Sequence, residues 1–575
     1  MRGDDDQSNL ALSWRSGDLY PMKLFLALTL WVGLAVAALA ETPANVMTEV
    51  AFTSAGSYSD PFNEVTLNVV FVDPQGRELR VPAFWAGGKI WKVRYASPIV
   101  GTHSYRTECS ATGDRGLHDV KGQIQVRPYT GVNPLYRHGP LRVAQNRRFL
   151  EQRDGTPFFW LGDTWWMGLS HRLRFPEEFQ QLTADRKEKG FTVIQIVAGL
   201  YPDMFPFDPR GANEAGFPWE TNYARIRPEY FDAADRRLEY LVEQGLTPCL
   251  VGAWGYFMPW MGVEKMKAHW RYLIARYAAL PVVWCAAGEA NLPWYLAKGF
   301  PYDDRKQVSD WTEVMRYIRE TDPFHRLLTV HPTGIGRLSA RNATEDSALL
   351  DIDMLQTPHG RREAVPITVS TVRQSYADKP VMPVIDGEAS YEMLNDSLPT
   401  EWTRRMFWLC LMNGAAGHTY GANGIWQCNR PGDPHGKSPH GGTYGRIPWN
   451  EAMRLPGSEQ VGFGKRLLTQ YPWQEFQPHP EWAVFAGEQP NGDAYAPQSA
   501  GVAGAVRITY VPESRPVAAH TLVVHAAYSA AYFDPVSGRR TEIGLIQSDE
   551  AGSWNCPPPA GCQHDWVLVL EKKSW

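Results

Sequence analysis

Eight short apolar runs separated by helical stretches constrain the fold of this 575-residue chain more than any other feature. Most of the runs are predominantly apolar, as strands buried on both faces are, and the segments between them have the length of helices. Alternating strands and helices predict a parallel sheet, and eight such units close into a (β/α)₈ TIM barrel. The runs occupy residues 158–163, 191–197, 246–254, 282–289, 327–332, 350–356, 381–388 and 413–421.

The segments between the runs carry helix-end signals. The first segment, 176–190, begins with Pro176 and acidic residues and ends at Gly190, as helix starts and helix ends commonly do. Amphipathic stretches of similar length follow at 230–245, 264–280 and 307–322. The eighth apolar run is rich in glycine and poor in β-branched residues, so it is the weakest of the predicted strands.

Short alternating runs flank the barrel on both sides. Apolar and polar residues alternate in 64–72 and 90–96 before it, and in 505–511 and 520–528 after it, which is typical of half-buried strands. We therefore predict an α/β chain with a TIM barrel between two β-sandwich domains. The predicted domains are an N-terminal β-sandwich over 45–130, the barrel over 135–475 and a C-terminal β-sandwich over 480–575.

The first 40 residues have the features of a secretory signal. Residues 22–40 place one lysine before an apolar stretch and end in Ala-Leu-Ala, a small-x-small cleavage pattern. Acidic residues at 4–6 do not fit a positively charged leader, so we expect Met22 to be the start and Glu41 to begin the mature protein. The apolar stretch is shorter than the ~20 residues of a membrane span. We predict an exported protein, periplasmic or secreted, without a membrane anchor.

Composition argues against several classes of partner. The 57 Lys and Arg residues are balanced by 62 Asp and Glu residues, which leaves none of the basic excess that neutralises the phosphates of a nucleic acid. The sequence lacks a glycine-rich phosphate loop, a dinucleotide fingerprint and the His/Cys spacing of a zinc site. We therefore expect no nucleic-acid partner, no cofactor and no metal. The oligomeric state is left open.

The seven cysteines do not form a disulfide scaffold. Cys249, Cys285 and Cys410 lie inside apolar runs, where a small buried side chain is the simplest explanation. Cys556 and Cys562 differ, because they bracket a proline-rich loop that an oxidising compartment would let them close. We expect a disulfide between these two.

Two glutamates suggest what the barrel does. Glu289 and Glu388 lie at the ends of the fourth and seventh apolar runs, and a (β/α)₈ barrel carries its chemistry at the carboxyl ends of its strands. Glycoside hydrolysis requires such a pair, because one carboxyl group protonates the leaving oxygen while the other attacks the anomeric carbon or activates water. Asp386 is expected to face away from this site and to be structural. The pair predicts a glycoside hydrolase.

Specific motifs extend this prediction to a family. The segments PFFWLGDTWWMGLSHRL at 157–173, GEAN at 288–291 and PVIDGEASYE at 383–392 resemble those of the apiosidase-like glycoside hydrolases over most of 135–475. The N-terminal segment resembles the Ig-like module that often precedes such barrels. The C-terminal segment resembles a β module named for collagen binding, a name that is not evidence of collagen binding. Together the three resemblances imply a bacterial polysaccharide-degrading architecture.

The resemblance also implies roles for the two glutamates. In retaining glycosidases of clan A, which the barrel resembles, the fourth strand carries the acid/base and the seventh the nucleophile, here Glu289 and Glu388. This chain departs from the wider clan in one respect, because Gly288 stands where an asparagine usually precedes the acid/base, and Asn291 follows two residues later. Some apiosidase-like members also carry aspartate in the place of Glu289.

Polar and aromatic residues at or near strand ends are candidates for binding sugar hydroxyls and sugar faces, and for each the alternative is a structural role in a large core. For Asp163 that alternative is a brace at the top of the barrel. Tyr391, three residues after Glu388, can hydrogen-bond the nucleophile. The candidate substrate-binding residues are Asp163, Trp165, Trp166, Trp254, Asn291, Trp294, His331, Gln356, His359, Tyr391, His418 and Tyr420.

The sequence leaves two other functions open. The first is a carbohydrate-binding protein whose barrel has lost catalysis, which the presence of both glutamates disfavours. The second is a barrel hydrolase of another bond, such as an esterase, which the lack of a Gly-x-Ser-x-Gly elbow disfavours. We expect a glycoside hydrolase, retaining in mechanism, acting on a plant or microbial polysaccharide or its side chains.

Overall fold

The computed structural model describes residues 40–292, 304–439 and 442–573. Its first module, up to Arg127, consists of two β-sheets with buried apolar residues such as Val69, Phe71 and Val93 between them. One sheet contains Ala40–Pro43, Leu67–Val72, Glu78–Pro82, Gly101–Cys109 and Lys121–Arg127. The other sheet contains Thr48–Thr53, Phe84–Trp85 and Ile90–Tyr95. The N-terminal β-sandwich predicted from the alternating pattern is therefore confirmed.

Eight parallel strands, each overlapping one of the predicted apolar runs, form the central sheet. They are β1 (Trp160–Trp165), β2 (Val193–Val197), β3 (Thr247–Val251), β4 (Val283–Cys285), β5 (Leu328–Thr329), β6 (Asp353–Gln356), β7 (Val384–Glu388) and β8 (Gly417–Tyr420). Strand β1 pairs with both β2 and β8, and the Asp351 amide donates to the Leu328 carbonyl at 2.9 Å between β6 and β5. This arrangement confirms the predicted TIM barrel.

Helices cover the outside of the barrel. The first helix begins after Pro176, carries two glutamates in its first turn and is followed by Gly190 at a φ of 88°, as its sequence signals predicted. The apolar faces of these helices pack on a sheet that is buried throughout, which explains why the strands lie in predominantly apolar runs. The longer helices are Glu177–Glu188, Pro228–Glu243, Phe257–Tyr277, Asp304–Thr321, Ala364–Ala377, Thr400–Met412 and Pro456–Leu468.

A bulge in β7 determines where the glutamate at its end faces. Asp386 pairs with Leu355 of β6, but the next residue of β6, Gln356, pairs with Glu388, so Gly387 is the extra residue. Residues two apart in a regular strand share one face, and a bulge breaks that rule. Asp386 contacts the helix Thr400–Met412 in the outer layer, as expected of a structural residue, while Glu388 faces the cleft.

The C-terminal module is also built from two sheets. Its core contacts the barrel through a buried ion pair, in which Arg404 donates to Asp565 at 2.9 Å, and through Trp408, which stacks on Tyr510. The larger sheet contains Gln477–Pro478, Gln498–Val502, Val506–Val511, Ala527–Phe533, Arg540–Gln547 and Trp566–Lys572. The smaller sheet contains Ala483–Phe485, Val517–Ala519 and Trp554–Cys556. The predicted C-terminal β-sandwich is confirmed.

The expected disulfide between Cys556 and Cys562 is wrong, because both thiols are free. Cys556 is held in the core of the C-terminal module at the end of its strand, and its sulfur lies 3.3 Å from the carbonyl of Pro557. The Cys562 sulfur is directed to another carbonyl, that of His564, at 3.2 Å. The three cysteines predicted to be buried in the barrel are 0% exposed.

The predicted signal segment, 22–40, lies outside the described residues except for Ala40, and so does the predicted start at Met22. Within the described part of the chain, none of the helices combines the length and the hydropathy needed to cross a bilayer.

Candidate active site

Glu388 ends β7 and is 6% exposed. Its Oε1 lies 2.8 Å from Nε2 of His359 and 3.3 Å from Nε2 of Gln356, while its Oε2 lies 3.4 Å from Nε2 of His331. Burial opposes ionisation, but the two histidines outweigh it and lower the pKa of Glu388 to about 2. At neutral pH this side chain is a carboxylate.

Glu289 lies four residues beyond β4 instead of ending it. Its backbone adopts a left-handed φ of 44°, uncommon for a residue with a side chain, in a segment where Gly288 bridges to Trp254. The indole Nε1 of Trp254 is 3.3 Å from Oε2 of Glu289. Burial, followed by the nearby charges of Glu388 and Asp203, raises the pKa of Glu289 to about 7. This carboxyl group therefore retains its proton far above the usual range.

One side-chain amide bridges the two glutamates. Gln356, at the end of β6, directs Nε2 toward Oε1 of Glu289 at 3.2 Å and toward Oε1 of Glu388 at 3.3 Å. Because both distances are measured from the same nitrogen, these two oxygens can be at most 6.5 Å apart. The two glutamates, 99 positions apart in the sequence, thus face one point of the same cleft.

The environments of the two glutamates separate their pKa values. Glu388 is ionised at the pH where Glu289 is still largely protonated. Such a divergence assigns one member of a carboxyl pair to proton donation and the other to nucleophilic or electrostatic work. A protonated and an ionised carboxyl group in one cleft are the groups needed to break a glycosidic bond.

The cleft has a volume of about 570 Å³ and aromatic walls. Trp166 packs edge-to-face on Trp254 with their ring centroids 5.5 Å apart, and Tyr391, Trp426 and Tyr444 line other parts of the cleft. Aromatic rings with a polar edge present apolar faces and hydrogen-bonding tips together, which suits the mixed surface of a sugar ring.

Five of the predicted substrate-binding residues line this cleft together with the two glutamates. His331 is completely buried beside Glu388, so it contacts the nucleophile candidate instead of the open cleft. The five that line the cleft are Trp166, Trp254, Gln356, His359 and Tyr391.

Asp163 and Trp165 do not line the cleft, because both side chains are 0% exposed. One oxygen of Asp163 accepts hydrogen bonds from Arg186 at 2.6 Å and from the indole of Trp165 at 2.7 Å. Trp165 also packs against Phe179 of the first helix. The alternative of a structural brace therefore describes Asp163 better than substrate binding does.

Asn291, His418 and Tyr420 also lie outside the residues that line the cleft. Asn291 accepts a hydrogen bond from the Thr333 amide at 2.8 Å, and Tyr420 donates to Glu392 at 2.6 Å. All three side chains are buried. A position near a strand end therefore does not determine whether a side chain faces the cleft. The prediction that these three residues contact substrate is therefore corrected: they are buried structural residues outside the cleft. Trp294 lies outside the described residues.

Sequence reasoning missed several residues of the cleft. Asp203 comes from the segment after β2, and Trp426 and Tyr444 come from the long segment after β8. Asp203 is 7% exposed and accepts a hydrogen bond from Ser438 at 3.2 Å, which joins the two segments. The only signal for these residues was the aromatic and acidic content of two long segments that follow barrel strands.

Comparison with known proteins places this site in a family. Residues 144–475, more than half of the chain, match the model described as "Apiosidase-like, catalytic domain". The chain belongs to the apiosidase-like family. Residues 46–110 match a domain of unknown function, DUF5060, and residues 480–571 match the model described as "Putative collagen-binding domain of a collagenase". None of the curated proteins is significantly similar to the chain.

Solved structures agree with the family assignment. A structure described as a glycoside hydrolase is 25% identical, with a TM-score of 0.65, and the match covers 78% of this chain and 99% of that one. A glycoside hydrolase family 5 protein from Bacteroides vulgatus is similar in fold, at 24% identity and a TM-score of 0.64, over 77% of this chain and 95% of its own. The apiosidase-like protein described here is a glycoside hydrolase, and its substrate is a carbohydrate.

Proposed function

We propose that this apiosidase-like enzyme is a retaining glycosidase in which Glu388 is the nucleophile and Glu289 is the general acid/base. The observation that carries the proposal is the side-chain amide of Gln356, which contacts both carboxyl groups. Its two contacts limit the distance between Oε1 of Glu289 and Oε1 of Glu388 to at most 6.5 Å. Retaining enzymes hold these groups about 5–5.5 Å apart, whereas inverting enzymes leave about 6.5–9.5 Å for a water molecule. The upper limit observed here favours retention.

In the first step, Glu388 attacks the anomeric carbon as Glu289 gives its proton to the glycosidic oxygen. The bond between that carbon and that oxygen breaks, the leaving group departs as an alcohol, and a glycosyl ester of Glu388 remains. His359 and His331 keep the nucleophile ionised, and the raised pKa of Glu289 keeps the acid protonated.

In the second step, the same pair works in reverse. Esterification removes the negative charge of Glu388, which is one of the causes that raise the pKa of Glu289. The pKa of Glu289 therefore falls when the ester forms, and its carboxylate takes a proton from the water that attacks the anomeric carbon. The ester bond breaks, and the sugar leaves with its original anomeric configuration.

We propose a plant or microbial polysaccharide, or a side chain of one, as the substrate. Three tryptophans and two tyrosines in the cleft walls suit the stacking of sugar faces, and the description of the matching family model makes apiose-containing side chains the first to test. Such polymers lie outside the cell, which agrees with the secretory features of residues 22–40. Mass spectrometry of the mature protein should then find Glu41 at its N-terminus, and retention of residues 22–40 would contradict export by this signal.

The test of the catalytic roles is release of reducing sugar from a panel of plant and bacterial glycans. Glu388→Ala and Glu289→Ala should each lose most of the wild-type activity, whereas Glu264→Ala, at a residue with 86% side-chain exposure, should retain it. If both active-site variants keep wild-type rates, the proposed site is wrong.

Rescue by azide distinguishes the two roles. Azide can replace the missing nucleophile in Glu388→Ala and should give a glycosyl azide of inverted configuration. In Glu289→Ala, azide attacks the glycosyl ester and should give a glycosyl azide of retained configuration. A retained product from Glu388→Ala and an inverted product from Glu289→Ala would show that the two roles are the other way round.

A further inference from the structure

A buried cluster of three potential metal ligands lies in the outer layer of the barrel. Asp386 of β7, Cys410 of the helix Thr400–Met412 and His418 of β8 each offer one ligand atom, and these atoms lie within 4.8 Å of one another. Asp386 and His418 are paired across the two strands, and none of the three side chains is more than 1% exposed. The cluster is outside the cleft and takes no part in the proposed reaction.

Hydrogen bonding within the protein leaves much of this cluster unsatisfied. Oδ2 of Asp386 accepts from the Thr357 hydroxyl at 2.8 Å and from the Cys410 thiol at 3.2 Å. In the described part of the chain, neither ring nitrogen of His418 has a hydrogen-bond partner, and nor does Oδ1 of Asp386. A buried polar group left unpaired is destabilising, so unpaired atoms on two of the three side chains of one buried cluster indicate a ligand.

Charge and ligand chemistry identify the kind of ligand. All three side chains are buried, so a charge on any one of them alone is disfavoured. One carboxylate and one thiolate together neutralise a divalent cation, and a neutral imidazole is ready to bind it. Thiolate and imidazole ligands favour zinc over magnesium or calcium.

We propose that Asp386, Cys410 and His418 form a structural zinc site. The fourth ligand of a tetrahedral ion would be the nearby Thr357 hydroxyl or a water molecule. The site would join β7, β8 and the helix that covers them. Its ligand Asp386 lies two residues before the proposed nucleophile Glu388. This site could not be predicted from sequence, because the three ligands are separated by 24 and 8 positions and match no zinc-binding motif.

Metal analysis of the intact mature protein tests this proposal. We expect protein made in zinc-supplemented medium, without a histidine tag, to retain one zinc ion per chain after gel filtration, as measured by inductively coupled plasma mass spectrometry. The cobalt(II) form should show a thiolate-to-metal charge-transfer band in the near ultraviolet. Wild-type protein that binds neither ion, or that binds cobalt without this band, would overturn the proposal.

Variants show whether these residues are the ligands. Cys410→Ala and His418→Ala should lose the bound ion and the charge-transfer band. Cys428→Ala, which removes another thiol that is 0% exposed, in the segment after β8, should keep both the ion and the band. A Cys410→Ala protein that retains the band would overturn the assignment. If a ligand variant does not fold, the wild-type measurements alone decide whether the site exists.

Discussion

Neutralising Glu388 should lower the pKa of Glu289, because the charge of Glu388 helps to hold the proton on Glu289. Glu388→Gln is the appropriate change, since it removes the charge and nearly preserves the shape of the side chain. In the wild-type protein the pKa of Glu289 is about 7. The same loss of charge occurs when the glycosyl ester forms, so this variant imitates the state in which Glu289 must act as a base.

The distance between the two carboxyl groups sets the size of the effect. Two unit charges 6.5 Å apart, the upper limit given by the shared contacts of Gln356, interact by about 2.5 kcal/mol at an effective dielectric constant of about 20. That energy corresponds to a change of about 2 units in the pKa of Glu289. We therefore expect a pKa of about 5 for Glu289 in the variant.

Nuclear magnetic resonance of protein labelled with carbon-13 at the glutamate carboxyl carbons measures this pKa without requiring turnover. The resonance of Glu289 is assigned as the one that disappears in Glu289→Gln. Glu264→Gln, far more exposed, serves as the matched control and should leave the titration of Glu289 unchanged. A pKa of Glu289 that stays near 7 or rises in Glu388→Gln would refute the electrostatic coupling on which the acid-to-base exchange depends.

Two further predictions concern the surroundings of the site, and a third concerns the contact between the barrel and the C-terminal module. Asp203→Asn should lower the pKa of Glu289, so the alkaline limb of kcat/KM, where activity is lost as pH rises through about 7, should move to lower pH. His359→Ala should raise the pKa of Glu388 by roughly 1–2 units, the equivalent of one charge-assisted hydrogen bond, and move the acidic limb to higher pH. Limbs that stay in place would contradict these two expectations. Arg404→Met should destabilise the protein by about 3–5 kcal/mol, because a buried carboxylate of the C-terminal module loses its partner, while kcat is unchanged. Thermal denaturation and initial rates measure both effects, and an unchanged melting temperature would contradict the last prediction.

The barrel could be predicted because its physical signature is local. Strands buried on both faces need continuous apolar runs, and each of the eight runs contains or overlaps a strand of the sheet. Glu388 could be recognised for the same reason, since it is the last residue of such a strand. Glu289 was identified at the right end of the barrel, although its strand ends four residues earlier.

The direction in which most of the candidate side chains face could not be predicted, and although Asp386 was expected to face away from the site, the physical cause was not. Asp386 and Glu388 would share a face in a regular strand, and only the bulge at Gly387 separates them into the outer layer and the cleft. His418 and Tyr420 are a second example. Their places near the end of β8 did not reveal that both side chains are buried away from the cleft. Such details depend on register and packing between distant segments.

Residues supplied by long segments were also beyond prediction. Asp203 and Tyr444 reach the cleft only because the segments after β2 and β8 meet above the barrel, where Ser438 donates to Asp203. Periodicity describes strands and helices but says nothing about how irregular segments fold over them. The free thiols of Cys556 and Cys562 have a similar cause, since closeness in sequence did not orient the two sulfurs toward each other.

The anomeric configuration of the first product tests the central proposal most directly. Proton nuclear magnetic resonance during the first minutes of hydrolysis, on whichever glycan of the panel is cleaved, distinguishes the two anomers before they equilibrate. With Glu388 as nucleophile and Glu289 as acid/base, the sugar should first appear with the configuration that it had in the substrate. A first product of inverted configuration would contradict the double displacement and show that one of these glutamates activates water directly.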